Sequence, residues 1–372
     1  MKILVISSAP IVQVSNKEFM YAPYQKEMSI WAKYADSIQF CCPIWKEDKK
    51  LLVDEITFEM EPIVPLIEFD ITHFKNIPWA IWASICNFLI IFKAIRHCDH
   101  IHLRCPGNMT LLAAFVQIFF PKKKKTAKYA GNWDPKAKQP LTYKIQRWIL
   151  SNRFLTKNMQ VLVYGEWPKQ TKNIKPFFTS TYNEYEIVTV TKPSSNDKFN
   201  FLFVGTLSKG KQPLYAIQIV EKLKQLGKTI GLEMYGEGVL RQELEFYIKE
   251  NNLESEVCLK GNQPKEVIKK AYQKSHFLLL PSKSEGWPKA VAEAMFWNCI
   301  PITTAVSCVL YMIDYGKRGL VLQEKLDIDI ANILNLMNDS KQQNNLANEA
   351  QLWSQKFTNQ TFEKAIEKIL TY

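Results

Sequence analysis

Pro281-Ser-Lys-Ser-Glu285-Gly-Trp-Pro-Lys-Ala-Val-Ala-Glu293-Ala-Met295 is the stretch on which the prediction of fold and site depends. It follows His276-Phe-Leu-Leu-Leu280, an almost wholly apolar run that predicts a parallel strand buried on both faces. Pro288 fits the first position of a helix, where its missing N–H costs no hydrogen bond, so a helix is predicted to begin near Trp287. The stretch therefore predicts a buried strand, a short polar loop and a helix N-terminus.

The predicted helix N-terminus is a candidate anion site, because its amide donors and partial positive charge favour a ligand such as a diphosphate. Glu285 lies in the loop, whereas Glu293 lies about five residues into the helix, or ~7–8 Å further along its axis at 1.5 Å per residue. Carboxylates accept hydrogen bonds from sugar hydroxyls, so this pair suits a nucleotide that carries a sugar at each end. The same spacing also fits a solvated helix start with two surface acids.

The chain has 372 residues, more than one core usually serves, so we predict two domains. Short apolar strands alternate with helical stretches in both halves, which predicts an α/β fold of two doubly wound, Rossmann-like domains with ligands at the carboxyl ends of the strands. The predicted boundaries are an N-terminal domain over 1–181, a linker over 182–198, a C-terminal domain over 199–352 and a helix over 353–372 that crosses back to the N-terminal domain.

Charge and cysteine content bear on partners and compartment. Residues 1–198 hold 27 Lys and Arg against 17 Asp and Glu, a net +10, whereas the remaining residues hold 21 against 19, a net +2. The front half is therefore expected to meet an anionic partner, either a membrane surface, a phosphorylated lipid or nucleic acid. The eight cysteines show no CxxC spacing and no signal sequence is recognised, so a reducing cytoplasm is expected.

Two apolar stretches of the front half suggest contact with a membrane. Residues 79–92 are nearly all apolar but number about 14, fewer than the ~20 that span a bilayer, so a buried core helix or an interfacial helix is expected. A second apolar stretch, 111–120, leads into Lys122-Lys-Lys-Lys125. Four adjacent lysines fit a solvated loop and also fit attraction to an anionic leaflet.

Several loops that follow predicted strands carry candidate binding residues. Gly205-Thr-Leu-Ser-Lys-Gly210-Lys211-Gln212 matches a phosphate-binding P-loop except that Gln212 replaces the hydroxyl residue that should hold Mg²⁺. A turn that offers backbone amides and Lys209 or Lys211 to a diphosphate is the alternative, beside a plain lysine-rich surface turn. Gly236-Glu237-Gly238 and Asn262 follow later strands and are expected to line the same cleft.

In the front domain the candidates come after two strands. Asn132, Trp133 and Asp134 follow the strand that ends at Ala130, and Arg104 ends another strand. We expect the first three on the acceptor side and the Arg104 guanidinium on a phosphate of the acceptor or donor. A role in stabilising the loops fits each of them as well.

Taken together, the motifs of the second half resemble the retaining family 4 glycosyltransferases of the GT-B fold, in which two Rossmann-like domains face each other across a cleft. Seven residues separate Glu285 from Glu293, as in the EX7E signature of that family, and Val204-Gly205, Tyr235-Gly236, Gly261-Asn262 and Pro281-Ser282 stand in the family's order. The resemblance implies catalytic roles for Glu285, Lys211 and, with less weight, Lys209. It implies donor binding by Gly205, Thr206, Gly236, Glu237, Asn262, Ser282, Gly286, Trp287, Pro288, Lys289, Ala290 and Glu293.

The family also implies a role for particular groups. Glu285 would contact the donor sugar, the amides after Gly286 the diphosphate, Glu293 the ribose hydroxyls and Lys211 the phosphate charge. Two departures stand out: Thr206 replaces an arginine that many members carry, and the Gly-Gly loop expected after the first strand is missing from residues 7–21. Acceptor residues therefore transfer poorly from the family to this chain.

The implied reaction is transfer of a hexose from a nucleoside diphosphate sugar to an acceptor hydroxyl with retention at the anomeric carbon. We expect no metal and no other cofactor. The expected acceptor is a saccharide or lipid-linked saccharide in surface-polysaccharide assembly, such as capsule or O-antigen. An anionic membrane surface is the other expected partner, and no nucleic acid is expected. The expected location is the cytoplasm or the inner face of its membrane. A nucleotide-sugar epimerase and a basic nucleic-acid-binding protein are the alternatives.

Overall fold

The computed structural model describes residues 1–49, 51–70, 73–192 and 198–371. The chain divides into two compact units, one formed by Met1–Phe177 with Glu363–Tyr372 and the other by Phe178–Phe362. Each unit is built on a parallel β-sheet, so the predicted α/β class with two domains is confirmed.

The first unit contains a seven-stranded parallel sheet in the order β11-β10-β9-β8-β1-β4-β7. β1 lies inside the sheet between β8 and β4, and five of its six residues are buried. From β1 the chain continues to strands on one side of the sheet, and from β8 it continues to strands on the other side. The loops after β1 and β8 therefore lie on either side of the point at which the strand order reverses, at the carboxyl edge. The strands of this unit, those of the small sheet included, are β1 (Lys2–Ser7), β2 (Ile11–Val14), β3 (Lys17–Tyr21), β4 (Ser37–Cys42), β5 (Ile44–Trp45), β6 (Val53–Glu55), β7 (Glu61–Pro65), β8 (His100–Cys105), β9 (Lys124–Tyr129), β10 (Met159–Tyr164) and β11 (Ile174–Phe177).

In the described part of the chain, four helices lie between successive strands of this unit. Residues such as Ile91, Ala113, Ile149 and Ile101 form one buried core between the strands and the last three of these helices. The helices are α1 (Ala22–Ala32), α2 (Ile77–Arg96), α3 (Asn108–Val116) and α4 (Leu141–Ser151).

A small second sheet in this unit was not predicted from the sequence. It has the order β5-β2-β3-β6, and β2 and β3 form an antiparallel hairpin in which Val14 pairs with Lys17. Ser15 and Asn16 both have positive φ, 52° and 60°, which is the backbone of a two-residue type I′ turn. The region read as a loop is thus a hairpin, and the Ser-Asn pair between two alternating segments was the signal for it.

Helix α2 is longer than predicted. It has 20 residues rather than about 14, because it begins at Ile77 with Pro78 in its first turn and the segment after Phe92 stays helical with Ala94 and Ile95 buried. By length and composition alone α2 is apolar enough to cross a membrane, with a mean hydropathy of 1.6 and only 28% of its most apolar window buried. The predicted length of about 14 residues was therefore wrong, and the helix reaches the length that a membrane span requires.

The second unit contains a six-stranded parallel sheet in the order β14-β13-β12-β15-β16-β17. Numbered within the unit, this order is 3-2-1-4-5-6, the arrangement of a dinucleotide-binding sheet. Strand β15 is buried along its whole length, as its apolar run predicted. The strands are β12 (Phe199–Val204), β13 (Ile230–Tyr235), β14 (Val257–Gly261), β15 (Phe277–Leu280), β16 (Ile300–Thr304) and β17 (Leu320–Leu322).

The helices after these strands agree with the sequence pattern except at two places. The helix of the opening stretch begins at Lys289, two residues later than predicted, because Pro288 is its N-cap with extended backbone. The C-terminal helical segment is two helices, separated at residues 355–358. The helices are α5 (Pro213–Gln225), α6 (Arg241–Glu250), α7 (Lys265–Lys274), α8 (Lys289–Phe296), α9 (Val309–Met312), α10 (Leu326–Asn338), α11 (Ser340–Ser354) and α12 (Asn359–Thr371).

The end of the chain belongs to the first unit. Glu363 in α12 accepts a hydrogen bond of 2.8 Å from Lys33 Nζ, which lies at the end of α1. The predicted C-terminal segment returns to the first unit in this way, although its last residue, 372, lies outside the described residues. The predicted linker over 182–198 falls within the second unit, where Tyr182 is buried against Phe296 and Trp297, and residues 193–197 of that linker lie outside the described residues.

Candidate active site

The candidate site lies within the second unit at the carboxyl edge of its sheet. The chain runs outward in one direction from β12 through β13 and in the other from β15 through β16, so the loops after β12 and β15 flank the point at which the strand order reverses. In open α/β sheets, ligands bind at this point. The loop after β12 carries Lys209 and Lys211, and the loop after β15 carries Ser282, Glu285 and Gly286.

An ion pair joins these two loops. Lys211 Nζ lies 2.5 Å from Glu285 Oε1. Glu285 is only 8% exposed, whereas the Lys211 side chain is 27% exposed. The structure thus brings together two of the three residues expected to be catalytic, and it pairs a half-buried lysine with a buried carboxylate.

Hydrogen bonds fix the two loops against each other at further positions. The amide of Lys283 donates to the Gly210 carbonyl at 2.8 Å, and Gln212 Nε2 donates to the Pro281 carbonyl at 2.7 Å. Gln212 also has left-handed backbone, with φ of 50°, at the N-cap of α5. The residue that differs from the P-loop pattern therefore ties the two loops together, and its amide nitrogen also donates to Glu324 Oε1.

Helix α8 points its N-terminus at this edge of the sheet. Its N-cap is Pro288, whose side chain makes no capping hydrogen bond. The carbonyl of Gly286 accepts from Ser307 Oγ at 3.1 Å and from Cys308 Sγ at 3.2 Å, which fixes the loop just before the helix. A helix start of this kind favours negative charge in front of it.

Glu293 is the fifth residue of α8, as predicted from the sequence. Its Oε1 accepts a hydrogen bond of 2.8 Å from Thr181 Oγ1, and the Tyr272 hydroxyl lies beside it. Burial raises the pKa of Glu293, although the hydrogen bond from Thr181 and the charge of Lys289 act in the opposite direction. The carboxylate is held in one orientation, as a group that must recognise two hydroxyls requires.

The glycines of this edge allow backbone segments to approach one another. A Cβ on Gly236, which has φ of 136°, would lie 2.0 Å from the Gly205 carbonyl oxygen, and a Cβ on Gly238 would lie 2.3 Å from that of Leu207. The Leu207 amide donates to the Glu237 carbonyl at 3.0 Å. Glycine at these two positions lets the loop after β13 pack directly on the loop after β12. The sequence alone did not predict this packing.

The other expected donor residues differ in exposure. Thr206, Lys209 and Asn262 are exposed, and Glu237 pairs with Arg241. Ser282 is fully buried, and its hydroxyl has no hydrogen-bond partner among the described residues. At the start of α8, Ala290 is half-buried and Lys289 is exposed.

The Trp287 side chain is not available to a donor. It is 7% exposed, and its ring stacks on Trp353 with 6.2 Å between centroids and meets the edge of Phe357 at 5.8 Å. The prediction that Trp287 binds the donor therefore applies at most to its backbone, since the ring is a core group.

The candidates of the first unit are mostly engaged in internal contacts. Arg104 Nη1 lies 2.6 Å from Glu27 Oε1, and Lys128 Nζ lies 2.8 Å from Glu27 Oε2. The Arg104 guanidinium also covers the Tyr24 ring at 4.3 Å. The Arg104 guanidinium expected to bind a phosphate is thus already paired with a buried glutamate, which it shares with Lys128.

The loop after β9 forms a tight turn. The Asp134 amide donates to Asn132 Oδ1 at 2.8 Å, and Asp134 Oδ1 accepts from the Lys136 amide at 2.8 Å. Trp133 is 1% exposed, and its ring meets Tyr129 edge-on at 4.8 Å. The assignment of Trp133 to an acceptor was wrong, because its side chain is buried, whereas Asn132 and Asp134 remain half-buried at the carboxyl edge of their sheet.

Sequence reasoning missed Thr181 and Tyr272, which flank Glu293. Thr181 lies 112 residues before Glu293, and Tyr272 lies in α7, so no local spacing relates them to it. The only signal was the polar Thr179-Ser-Thr181 run that precedes the predicted linker.

Residues 189–353 match the family model described as glycosyl transferases group 1. This range contains the Lys211–Glu285 pair, Glu293 and all six strands of the second sheet. These residues carry a glycosyltransferase group 1 domain.

Comparison with known proteins agrees with this domain. The chain is 30% identical over 161 residues to the GalNAc-α-(1→4)-GalNAc-α-(1→3)-diNAcBac-PP-undecaprenol α-1,4-N-acetyl-D-galactosaminyltransferase of Campylobacter jejuni. The aligned residues cover 42% of this chain and 44% of that protein. The curated relatives are matched over 28% to 48% of their own length, less than half in every case.

Solved structures show the fold of the whole chain. The lipopolysaccharide outer core galactosyltransferase WaaB, in its apo form, aligns with a TM-score of 0.72 over 100% of this chain and 99% of that chain at 16% identity. Anabaena HepE in complex with UDP and glucose aligns with a TM-score of 0.68 over 100% and 99% at 15% identity. The glycosyltransferase group 1 domain is thus part of a GT-B fold, as the sequence predicted.

Proposed function

We propose that this protein transfers a hexose from a nucleoside diphosphate sugar to a saccharide acceptor, with retention of configuration at the anomeric carbon. The observation that carries the proposal is the Lys211–Glu285 ion pair, with Glu285 in the loop that leads into α8. A WaaB-like fold and relatives named glycosyltransferases support it. Neither an epimerase nor a nucleic-acid-binding protein would need this pair within a glycosyltransferase group 1 domain.

The leaving group explains why these charges lie where they do. Breaking the bond between the anomeric carbon and the diphosphate places negative charge on phosphate oxygens. An ammonium carries three N–H donors, so Lys211 can keep one on Glu285 and direct others at a phosphate. Together with the amides at the start of α8, it would stabilise the departing diphosphate by preorganised electrostatics, and we propose that no metal is needed.

The carboxylates would orient the rest of the donor. Glu285, buried beside Lys211, would accept a hydrogen bond from the sugar, and Glu293 would accept from the ribose hydroxyls. Glu285 lies in the loop before α8, and Glu293 is the fifth residue of α8. Their contacts would therefore fall at different points along the donor. Glu285 and Lys211 would act at the reacting end, whereas Glu293 would fix the nucleoside.

A panel of nucleotides tests the binding half of this proposal. We expect one of UDP, GDP, ADP or CMP to raise the melting temperature selectively, because a ligand at 100 times its Kd stabilises the folded state by about 2.7 kcal/mol. The shift should be smaller in Glu293→Gln, which loses the ribose contact, than in the control Glu254→Gln on the surface. Equal shifts with all four nucleotides would indicate binding by charge alone and contradict a nucleoside-specific site.

We further propose a lipid-linked acceptor and contact of the first unit with the inner face of the cytoplasmic membrane. Helix α2 presents an apolar side that its own unit leaves uncovered, and Lys93 and Arg96 lie in its last turn. The rings of Trp79 and Trp82 lie 4.8 Å apart at its other end, where indoles suit the headgroup region. The exposed apolar residues are Ile77, Trp79, Ile81, Trp82, Ile85 and Leu89, each 47% exposed or more.

Vesicle binding tests the membrane contact. We expect Trp82→Ser with Ile85→Ser to reduce cosedimentation with phosphatidylglycerol vesicles several-fold at high salt, where the remaining attraction is apolar. The control, Val239→Ser with Leu352→Ser, removes apolar groups of the second unit that are even more exposed, 89% and 63%. Equal cosedimentation of the two variants would contradict the contact through α2.

A further inference from the structure

A cavity of about 1070 Å³ opens at the edge of the first unit opposite to the carboxyl ends of its strands. It is lined where β8, β9, β10 and β11 begin, by residues that include His100, Lys125, Met159 and Lys175. Because the strands are parallel, Asn132, Asp134 and the other acceptor candidates lie at the far edge of the same sheet. The cavity is therefore a separate feature from the proposed acceptor side.

Positive charge dominates this cavity. Eight lysine or arginine side chains line it, and no Asp or Glu is among the described lining residues. Within the part of the chain that the structure describes, Lys157, Lys172 and Lys175 form no ion pair. Like charges gathered in a concave surface repel one another, and a polyvalent anion would relieve that repulsion.

The inner wall of the cavity is built from buried polar groups. Lys125 is 2% exposed, and its Nζ donates to the carbonyl of Gln117 at 3.0 Å and to the Gln117 side chain at 2.9 Å. Thr156 is also 2% exposed and donates to the Asn152 carbonyl at 2.7 Å. Burial lowers the pKa of Lys125 to about 8, so its ammonium stays mostly charged at pH 7.

Size helps to define the ligand. Pockets that enclose a small-molecule ligand measure about 300–1000 Å³, so this cavity exceeds what one phosphate group would fill. Lysines on flexible stems, rather than a fixed arginine fork, suit phosphates whose spacing varies. A compact ligand with several phosphates matches both the volume and the charge.

We propose that this basic cavity is a binding site for a ligand that carries several clustered phosphate groups. Lys157, Lys172 and Lys175 hold its outer phosphates, and the buried Lys125 ammonium adds positive charge behind the inner wall. Such phosphates reach the cavity either on a soluble polyphosphate-like anion or on neighbouring lipid headgroups. The site would anchor the first unit to that anion, independently of sugar transfer.

Calorimetric titration of the full chain with inorganic tripolyphosphate tests the proposal. We expect saturable binding that weakens at least tenfold when Lys157→Gln, Lys172→Gln and Lys175→Gln are combined. The control combines Lys249→Gln, Lys270→Gln and Lys341→Gln, which removes the same charge from exposed positions of the second unit. Equal affinity in the wild type and both variants would overturn the proposal.

A measurement without substitutions provides an independent check. Tripolyphosphate should slow acetylation of Lys157, Lys172 and Lys175 in the wild-type protein, as read by mass spectrometry, and leave Lys249 and Lys270 unaffected. Uniform protection of all lysines would contradict a defined site.

Two further arms identify the source of the phosphates. If tripolyphosphate displaces the protein from phosphatidylglycerol vesicles, and the cavity variant binds them less than its control, lipid headgroups are the source. If the cavity variant and its control bind these vesicles equally while tripolyphosphate binding still differs, a soluble anion is the source. Tighter, cavity-dependent binding of a short RNA than of tripolyphosphate would overturn the proposal in favour of nucleic acid.

Discussion

Lys211→Ala is expected to lower kcat/KM for sugar transfer by about 10²–10³-fold, the usual cost of removing one preorganised group that stabilises charge in the transition state. Lys211 is the cation that the structure fixes at the candidate site through its 2.5 Å contact with Glu285. Lys209, two residues earlier, is exposed and provides the matched control. Lys209→Ala should reduce the rate by less than about tenfold, because its charge is solvated.

A loss of folding must be separated from a loss of catalysis in this experiment. Removing Lys211 leaves the Glu285 carboxylate buried without its cation, which destabilises the loop. Lys211→Ala combined with Glu285→Gln removes both charges and should recover the melting temperature but not the activity. If the Lys209 variant lost as much activity as the Lys211 variant, the assigned role of Lys211 would be incorrect.

Glu27→Gln is expected to destabilise the first unit by about 3–5 kcal/mol, because it leaves two buried cations without their common anion. Glu27 contacts both Arg104 and Lys128, and the Lys128 side chain is 1% exposed. Faster hydrogen exchange in peptides that contain β8 and β9 would report this loss. Glu47→Gln, which changes an exposed carboxylate, should leave exchange in these strands unchanged.

The same triad predicts an acid dependence. Burial alone would raise the pKa of Glu27, but the charges of Arg104 and Lys128 outweigh it and hold the pKa at about 2. A carboxylate whose pKa is lowered on folding stabilises the protein above its ordinary pKa near 4.5, and that contribution is lost as the pH falls toward 2. Exchange in β8 and β9 should therefore quicken in this range for the wild type and change less for Glu27→Gln; equal acid sensitivity would contradict the account.

Much of the fold was predictable because its elements are locally encoded. Apolar runs such as Phe277–Leu280 are buried on both faces of a parallel sheet, and that requirement leaves a direct mark on composition. Helix α2 was underestimated because its last turn is polar on one side, whereas Ala94 and Ile95 on the other side continue the buried face.

The site was predictable only in part, since most of its contacts join distant segments. The resemblance of the second half to known glycosyltransferases predicted that Lys211 and Glu285 belong to one site. The structure places them in contact, although 74 positions separate them in the chain. The burial of side chains was not predictable in this way. Trp133 and Trp287 follow strands and stand beside polar residues, so the sequence indicated binding groups, but their rings are buried in the cores of their units. The contact of Thr181 with Glu293 depends on tertiary packing alone.

The most direct test of the central claim is the transfer reaction itself. The wild-type protein should be incubated with each nucleoside diphosphate sugar that stabilises it and with a diphospholipid-linked saccharide, and the product analysed by NMR at the new anomeric centre. We predict release of the nucleoside diphosphate together with a product of the same anomeric configuration as the donor. An inverted product would contradict the retaining mechanism, and failure to transfer sugar from any donor that binds would contradict the proposed function.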